Sequence, residues 1–144
     1  MFTIDVDQHE LSPRGPGLSV SFPVHSLTGA ASSAAVLFEL EPGAELPVHT
    51  DSAEELLLVI SGRAEARVGD EVGTLERHQA ALVPAMAPHG LRNVGSEPLR
   101  VFGTFSAATV VATFEEPQGP EGIQVVVIGA PLEIGVPLAE PVAA

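Results

Sequence analysis

Apolar and polar positions along the chain alternate with a period of two, in short runs rich in Val, Leu, Phe and Thr separated by Gly, Pro, Asp or Asn. This is the pattern of half-buried strands joined by turns, and convincing helical periodicity is absent. It predicts an all-β sandwich or barrel with strands at FTIDV (2–6), LSVSFPVHSL (18–27), SAAVLFEL (33–40), ELLLVIS (55–61), AEARVG (64–69), EVGTLE (71–76), AALVP (80–84), GLRNVG (90–95), LRVFGTFSA (99–107), TVVATFE (109–115) and IQVVVIG (123–129). Turns are predicted at EPGAE, SGR, VGDEVG, GSEP and EPQGPEG, whose residues tolerate turn dihedrals. In RAEARV, Arg63, Glu65 and Arg67 share one face and Ala64, Ala66 and Val68 the other, as in a strand with one wet side. In ELLLVIS both faces are apolar, which predicts a cover on each side, one of them open to a second subunit.

At 144 residues the chain has the size of one domain with its own core. No run approaches the roughly 18 apolar residues of a membrane span, and the first residues lack the basic and apolar regions of a secretory signal. The expectation is a soluble cytoplasmic protein, with no membrane partner. Cys, Trp and Tyr are absent, and all six basic residues are arginine. That removes disulfides, thiol nucleophiles, Lys Schiff bases and Tyr acids, and leaves His, Asp, Glu, Ser, Thr, Arg or a bound cofactor for any chemistry. A net charge of −13 with singly scattered arginines argues against nucleic acid and for a small-molecule partner.

Chemistry concentrates in HTDSAEELLLVISG (49–62). His49 and Asp51 are two apart and leave the same face of an extended segment. Glu55 rejoins that face if residues 52–54 bend, whereas Glu54 has the opposite parity. His89 lies in a second Pro-punctuated stretch, VPAMAPHGLRNVG (83–95). Carboxylates beside an apolar run need compensation, and a divalent cation held by two imidazoles and one or two carboxylates supplies it. His9, His25 and His78 have no such company and read as ordinary surface or satisfied histidines. Phe38, Met86, Phe102 and Phe105 are candidates to line a pocket above the metal, and Arg92 and Arg100 are candidate anion anchors. Ser106, Thr109 and Thr113 have no histidine at a triad-like position.

The two stretches resemble the paired motifs of the cupins. The first cupin motif runs Gly, five residues, His-x-His, three or four residues, Glu, six residues, Gly. This chain has Gly43, His49-Thr50-Asp51, Glu55 and Gly62 at those spacings, with Asp51 where the second His usually stands. The second motif is kept at Pro84, His89 and Asn93, while His78 and Met86 replace its glycines. The resemblance spans about residues 35–115. It implies a double-stranded β-helix, or jelly-roll barrel, over residues 31–130. Residues 1–30 would add N-terminal strands, and 131–144 a Pro- and Ala-rich tail. It also implies one divalent metal ion, Fe, Mn, Ni or Zn, on His49, Glu55 and His89. Asp51 would be a fourth ligand, would orient a histidine ring from behind, or would leave its place to water. Cupins of this size include dioxygenases, isomerases, cyclases and decarboxylases of small molecules, and here Glu55 would be the catalytic group. They also include non-catalytic ligand-binding or structural proteins with degenerate metal sites. Homodimers are common among them, often with exchanged strands, for which FTIDV or IQVVVIG is the candidate piece.

Overall fold

The computed structural model describes residues 1–129, and these form twelve strands. In chain order they are β1 (Ser12–Gly15), β2 (Leu18–Val24), β3 (Ala34–Leu40), β4 (Glu45–Asp51), β5 (Glu55–Ser61), β6 (Arg63–Val68), β7 (Glu71–Glu76), β8 (Ala80–Val83), β9 (His89–Asn93), β10 (Leu99–Phe105), β11 (Val110–Gln118) and β12 (Ile123–Ile128). A single 3-10 turn, Ser26–Thr28, is capped by His25. Every pairing is antiparallel, in two six-stranded sheets ordered β1-β2-β3-β10-β5-β8 and β12-β11-β4-β9-β6-β7. Among the described residues, no helix is long and apolar enough to cross a membrane.

The period-two pattern becomes burial most plainly in β10, where Leu99, Val101, Gly103 and Phe105 face inward and the residues between them are half exposed. Opposite them in register stand Leu40, Phe38, Val36 and Ala34 of β3. Leu57 and Val59 of β5 join these, and Ala64, Ala66, Leu91, Val110 and Ile128 close the core from the second sheet. The two inner faces thus make one jelly-roll core with small residues on β6 facing larger ones across the barrel. Arg63, Glu65 and Arg67 lie outside, as their alternation requires.

Two expectations are corrected. FTIDV forms no strand; residues 1–11 run over the outside of the first sheet, held by Arg100. Its guanidinium donates from Nε to the Val6 carbonyl (2.7 Å) and from Nη2 to the His9 carbonyl (2.7 Å), and it pairs with Glu39 (3.1 Å). With Arg100 so engaged, it offers no anchor for a bound anion. The sheet edge instead belongs to the polar hairpin arm SPRG, β1, which has no apolar alternation to reveal it. Second, residues 45–51 form a full strand, β4, that hydrophobic patterning passes over because its inward positions carry His49 and Asp51. Within the chain ELLLVIS is covered on one side: Leu57 and Val59 are buried, but Leu56 is 47% exposed beside Leu82 at 58%, and this is the side that the apolar pattern left open to a second subunit. The tail at 131–144 and the last residue of the 31–130 region lie outside the described residues.

Asn93, fully buried at the end of β9, ties the barrel's three segments at this end. Its side chain donates to the carbonyls of Leu40 (2.9 Å) and Glu97 (2.7 Å) and accepts from the Gly95 amide (2.9 Å). Its main chain pairs with Gly43 and Ala44 at the entry to β4, which sets β4 against β9.

His78 and Met86, which stand where the cupin motif has glycines, keep the glycine backbone at φ 69° and 65°. A side chain in this left-handed region costs about 1–2 kcal/mol. Part of that is offset because glycine loses more chain entropy on folding. His78→Gly and Met86→Gly are each expected to raise stability by about 0.5–1 kcal/mol. Urea unfolding followed by far-UV circular dichroism measures this, and a loss of stability would show that the two side chains make contacts worth more than the strain.

Candidate metal centre

A register slip sets the site. On the β4–β9 ladder Leu46 pairs with Leu91 and His49 with His89, so three steps along β4 match two along β9. Without the slip, Leu46 and His49 would point to opposite faces; with it both face the interior. Gly90 permits the close approach, since a Cβ there would lie 2.9 Å from the Leu46 carbonyl oxygen. His49 and His89 therefore stand side by side, with ring centroids 4.2 Å apart.

Both imidazoles are oriented in the same way. The Nδ1–H of His49 donates to the Pro47 carbonyl (2.8 Å) and that of His89 to the Ala87 carbonyl (2.9 Å), each two residues upstream. The Nε2 atoms are left pointing at the carboxylates. Asp51 Oδ2 lies 3.1 Å from His89 Nε2 and 3.6 Å from His49 Nε2. It is buried and takes no hydrogen bond. Glu55 reaches across from the other sheet, Oε1 standing 3.2 Å from His89 Nε2. Its Oε2 occupies space that any side chain on Gly103 would take, a Cβ there falling 2.5 Å away.

All four side chains are buried: His49 6% exposed, Asp51 3%, Glu55 3% and His89 1%. Burial, followed by the charge of His89, holds the His49 pKa below the usual histidine value. Burial also opposes charging His89, but contacts with Asp51 and Glu55 outweigh it and push its pKa up to about 10. Burial, reinforced by the negative charge of Asp51 and opposed by the His89 contact, raises Glu55 to about 7. Oriented Nε2 atoms facing an unbonded carboxylate oxygen are a donor set suited to a divalent cation, which would neutralise what the protein alone balances with protons. The donor atoms of His49, Asp51 and His89 lie within 4.8 Å of one another, and these three residues could bind a metal. Glu55 lies beside that group through His89. Glu54 is exposed, as its parity predicts.

Above the cluster a cavity of about 280 Å³ opens between the sheets. Phe38 and Phe105 lie in its wall; Phe102 alternates to the outer face and Met86 is 59% exposed, so neither lines it. Hydrophobic type alone cannot tell these four apart, whereas parity along β10 separates Phe102 from Phe105. Sequence reasoning missed Phe22, Phe114 and Arg14, which also line the cavity. Phe114 pairs with His49 across the β4–β11 ladder and packs its ring 5.0 Å from the imidazole. Its position two beyond Ala112 in TVVATFE was the available signal.

Residues 36–105 match the family model described as Cupin domain. Xanthan biosynthesis protein XanB of Xanthomonas campestris pv. campestris (strain B100) is 34% identical over 86 residues, 56% of this chain; the chain spans only 18% of that protein. The fold is similar to that of Lactobacillus farciminis oxalate decarboxylase (TM-score 0.64, 20% identity, 72% of this chain and 32% of that one). It is also similar to that of the polyketide cyclase RemF from Streptomyces resistomycificus (TM-score 0.61, 19% identity, 73% and 78%). Two antiparallel sheets closed as a double-stranded β-helix, motif residues gathered at one point inside it and the family match agree: the chain belongs to the cupin superfamily.

Proposed function

We propose that the protein is a metal-dependent enzyme acting on a small organic molecule, with His49, Asp51 and His89 holding one divalent cation and Glu55 transferring a proton. The observation that carries this reading is the convergence of three side chains that could hold a metal, two of which, His49 and Asp51, lie in the wall of a largely apolar cavity, with a second buried carboxylate, Glu55, beside them. When bound, a divalent cation supplies Lewis acidity toward a substrate oxygen. The protein's own contribution is position and proton affinity. His89 Nε2 holds Glu55 Oε1, Gly103 leaves room for Oε2, and burial keeps the carboxyl able to gain or lose a proton near neutral pH. The chain has no Lys, Cys or Tyr to take that role. A carboxyl tuned in this way favours isomerase- or cyclase-like proton transfer over dioxygenase-like chemistry. Oxygen consumption on turnover would reverse that preference, and Glu55→Gln with full activity would remove Glu55 as the proton-transferring group.

Elemental analysis of untagged protein purified without chelator should find close to one Fe, Mn, Ni or Zn per chain, and none in the His49→Ala/His89→Ala double variant. Protein that neither carries metal nor takes it up would assign the fold to non-catalytic ligand binding.

The metal-free protein binds a proton at His89 well above neutrality, so metal uptake must expel it. The sign follows: acid weakens metal binding and alkali strengthens it. Affinity is expected to rise about tenfold per pH unit between 7.5 and 9, with at least one proton released per metal. Calorimetry in buffers of different ionisation enthalpy measures the release, and heats independent of the buffer would show that His89 is neutral before metal arrives.

The uncharged outer face formed by Leu56, Leu58, Ile60 and Leu82 supports a homodimer, in which an identical face would cover it. Light scattering should give twice the chain mass for the wild type and the chain mass for Leu82→Glu. A monomeric wild type would overturn the assignment.

A further inference from the structure

The cavity has a polarity gradient that specifies its occupant. Its floor is the buried group His49, Asp51 and Glu55, and its solvent-facing rim carries Arg14, Gln118 and Glu121. Between floor and rim the wall is apolar, and four of the six phenylalanines of the chain, Phe22, Phe38, Phe105 and Phe114, are in it. A sugar or polyol placed there would bring a hydroxyl on nearly every carbon to a wall without partners, each losing water for nothing in return. A ring system loses nothing and gains aromatic contacts, including with Phe114, whose ring lies 5.0 Å from His49 at a tilt of 33°. At about 280 Å³ the space lies just below the usual range of about 300–1,000 Å³ for small-molecule sites, room for one or two fused rings.

The rim supplies the second determinant. Arg14 makes no ion pair with a carboxylate of the described residues; its guanidinium rests 5.9 Å above the Phe22 ring. Arg63, Arg92 and Arg100 each pair with a glutamate, whereas Arg14, Arg67 and Arg77 make no ion pair among the described residues; of these Arg14 is the one at the cavity mouth, placed to meet an incoming anion in a chain whose net charge of −13 otherwise repels one. Glu121 on the same rim disfavours a second negative charge.

We propose that the cavity takes a small aromatic monocarboxylic acid, its rings among the phenylalanines, its carboxylate on Arg14 and its far end toward His49 and Asp51. This deepens the function proposed above and rests on the cavity being its ligand site.

The probe is 2-naphthoate, whose fluorescence is unobscured because the chain has no Trp or Tyr. Titrated into metal-loaded and metal-free protein, it should bind once per chain, while glucuronate, a carboxylate with hydroxyls on its ring, should not bind at the same concentrations. Arg14→Gln should weaken 2-naphthoate about tenfold and change 2-naphthol less than twofold. Val126→Phe, which fills the cavity from a half-exposed strand, should abolish binding of both and thereby exclude the outer Leu56/Leu82 face as the site. Binding of glucuronate, an Arg14→Gln variant that keeps wild-type affinity for 2-naphthoate, or a Val126→Phe variant that still binds would each overturn the proposal. Metal uptake without 2-naphthoate binding would overturn it and leave the metal reading standing; 2-naphthoate binding to protein that takes up no metal would do the reverse.

Discussion

The demand on which this barrel turns is charge compensation in a dry interior. Asp51 and Glu55 are each 3% exposed, and a carboxylate so placed must be paired, protonated or bound to a cation. The protein meets the demand by facing both acids with the two imidazole Nε2 atoms and by fixing those rings from behind through the Pro47 and Ala87 carbonyls. Removal of one member would leave another charged and unpaired, so the four side chains act as one unit. The same arrangement could take up a divalent ion, since a cation would replace the protons that hold it together.

Backbone geometry provides the room. The register slip between Leu46 and His49 turns a histidine inward without sacrificing the packing of Leu46, and Gly90 lets β4 approach closely enough to do so. Gly103, midway along a strand whose other inward residues are apolar and bulky, is small because Glu55 needs its space. Asn93 clamps the end of β9 to the entry of β4 and so holds the two histidines opposite each other. Each of these positions looks like a packing detail in isolation, yet all of them serve the placement of four polar side chains.

The fold is shared by proteins as different as an oxalate decarboxylase and a polyketide cyclase, so architecture alone does not select a substrate. In this chain's cavity polar groups lie at the two ends and aromatic rings between them, and this is the feature on which the proposed choice of ligand rests. The outer surface follows another logic: Arg100 straps residues 1–11 across part of the first sheet, and the Leu56/Leu82 corner remains bare.

Local pattern and spacing were enough to determine the all-β class, most strand positions and the identity of His49, Asp51, Glu55 and His89 as a group, since period-two alternation and motif intervals are properties of the chain itself. β1 and β4 escaped that reading, β1 because it is exposed throughout and β4 because the site had replaced its core residues with polar ones. Which three of the four side chains converge, that Phe102 faces out while Phe105 faces in, that FTIDV is a strap and not a strand, and that Arg14 meets the cavity were decided only in three dimensions. Those outcomes depend on a one-residue register slip, on which strands become neighbours and on the approach of segments far apart in the chain, and none of these is encoded in the spacing of any single stretch.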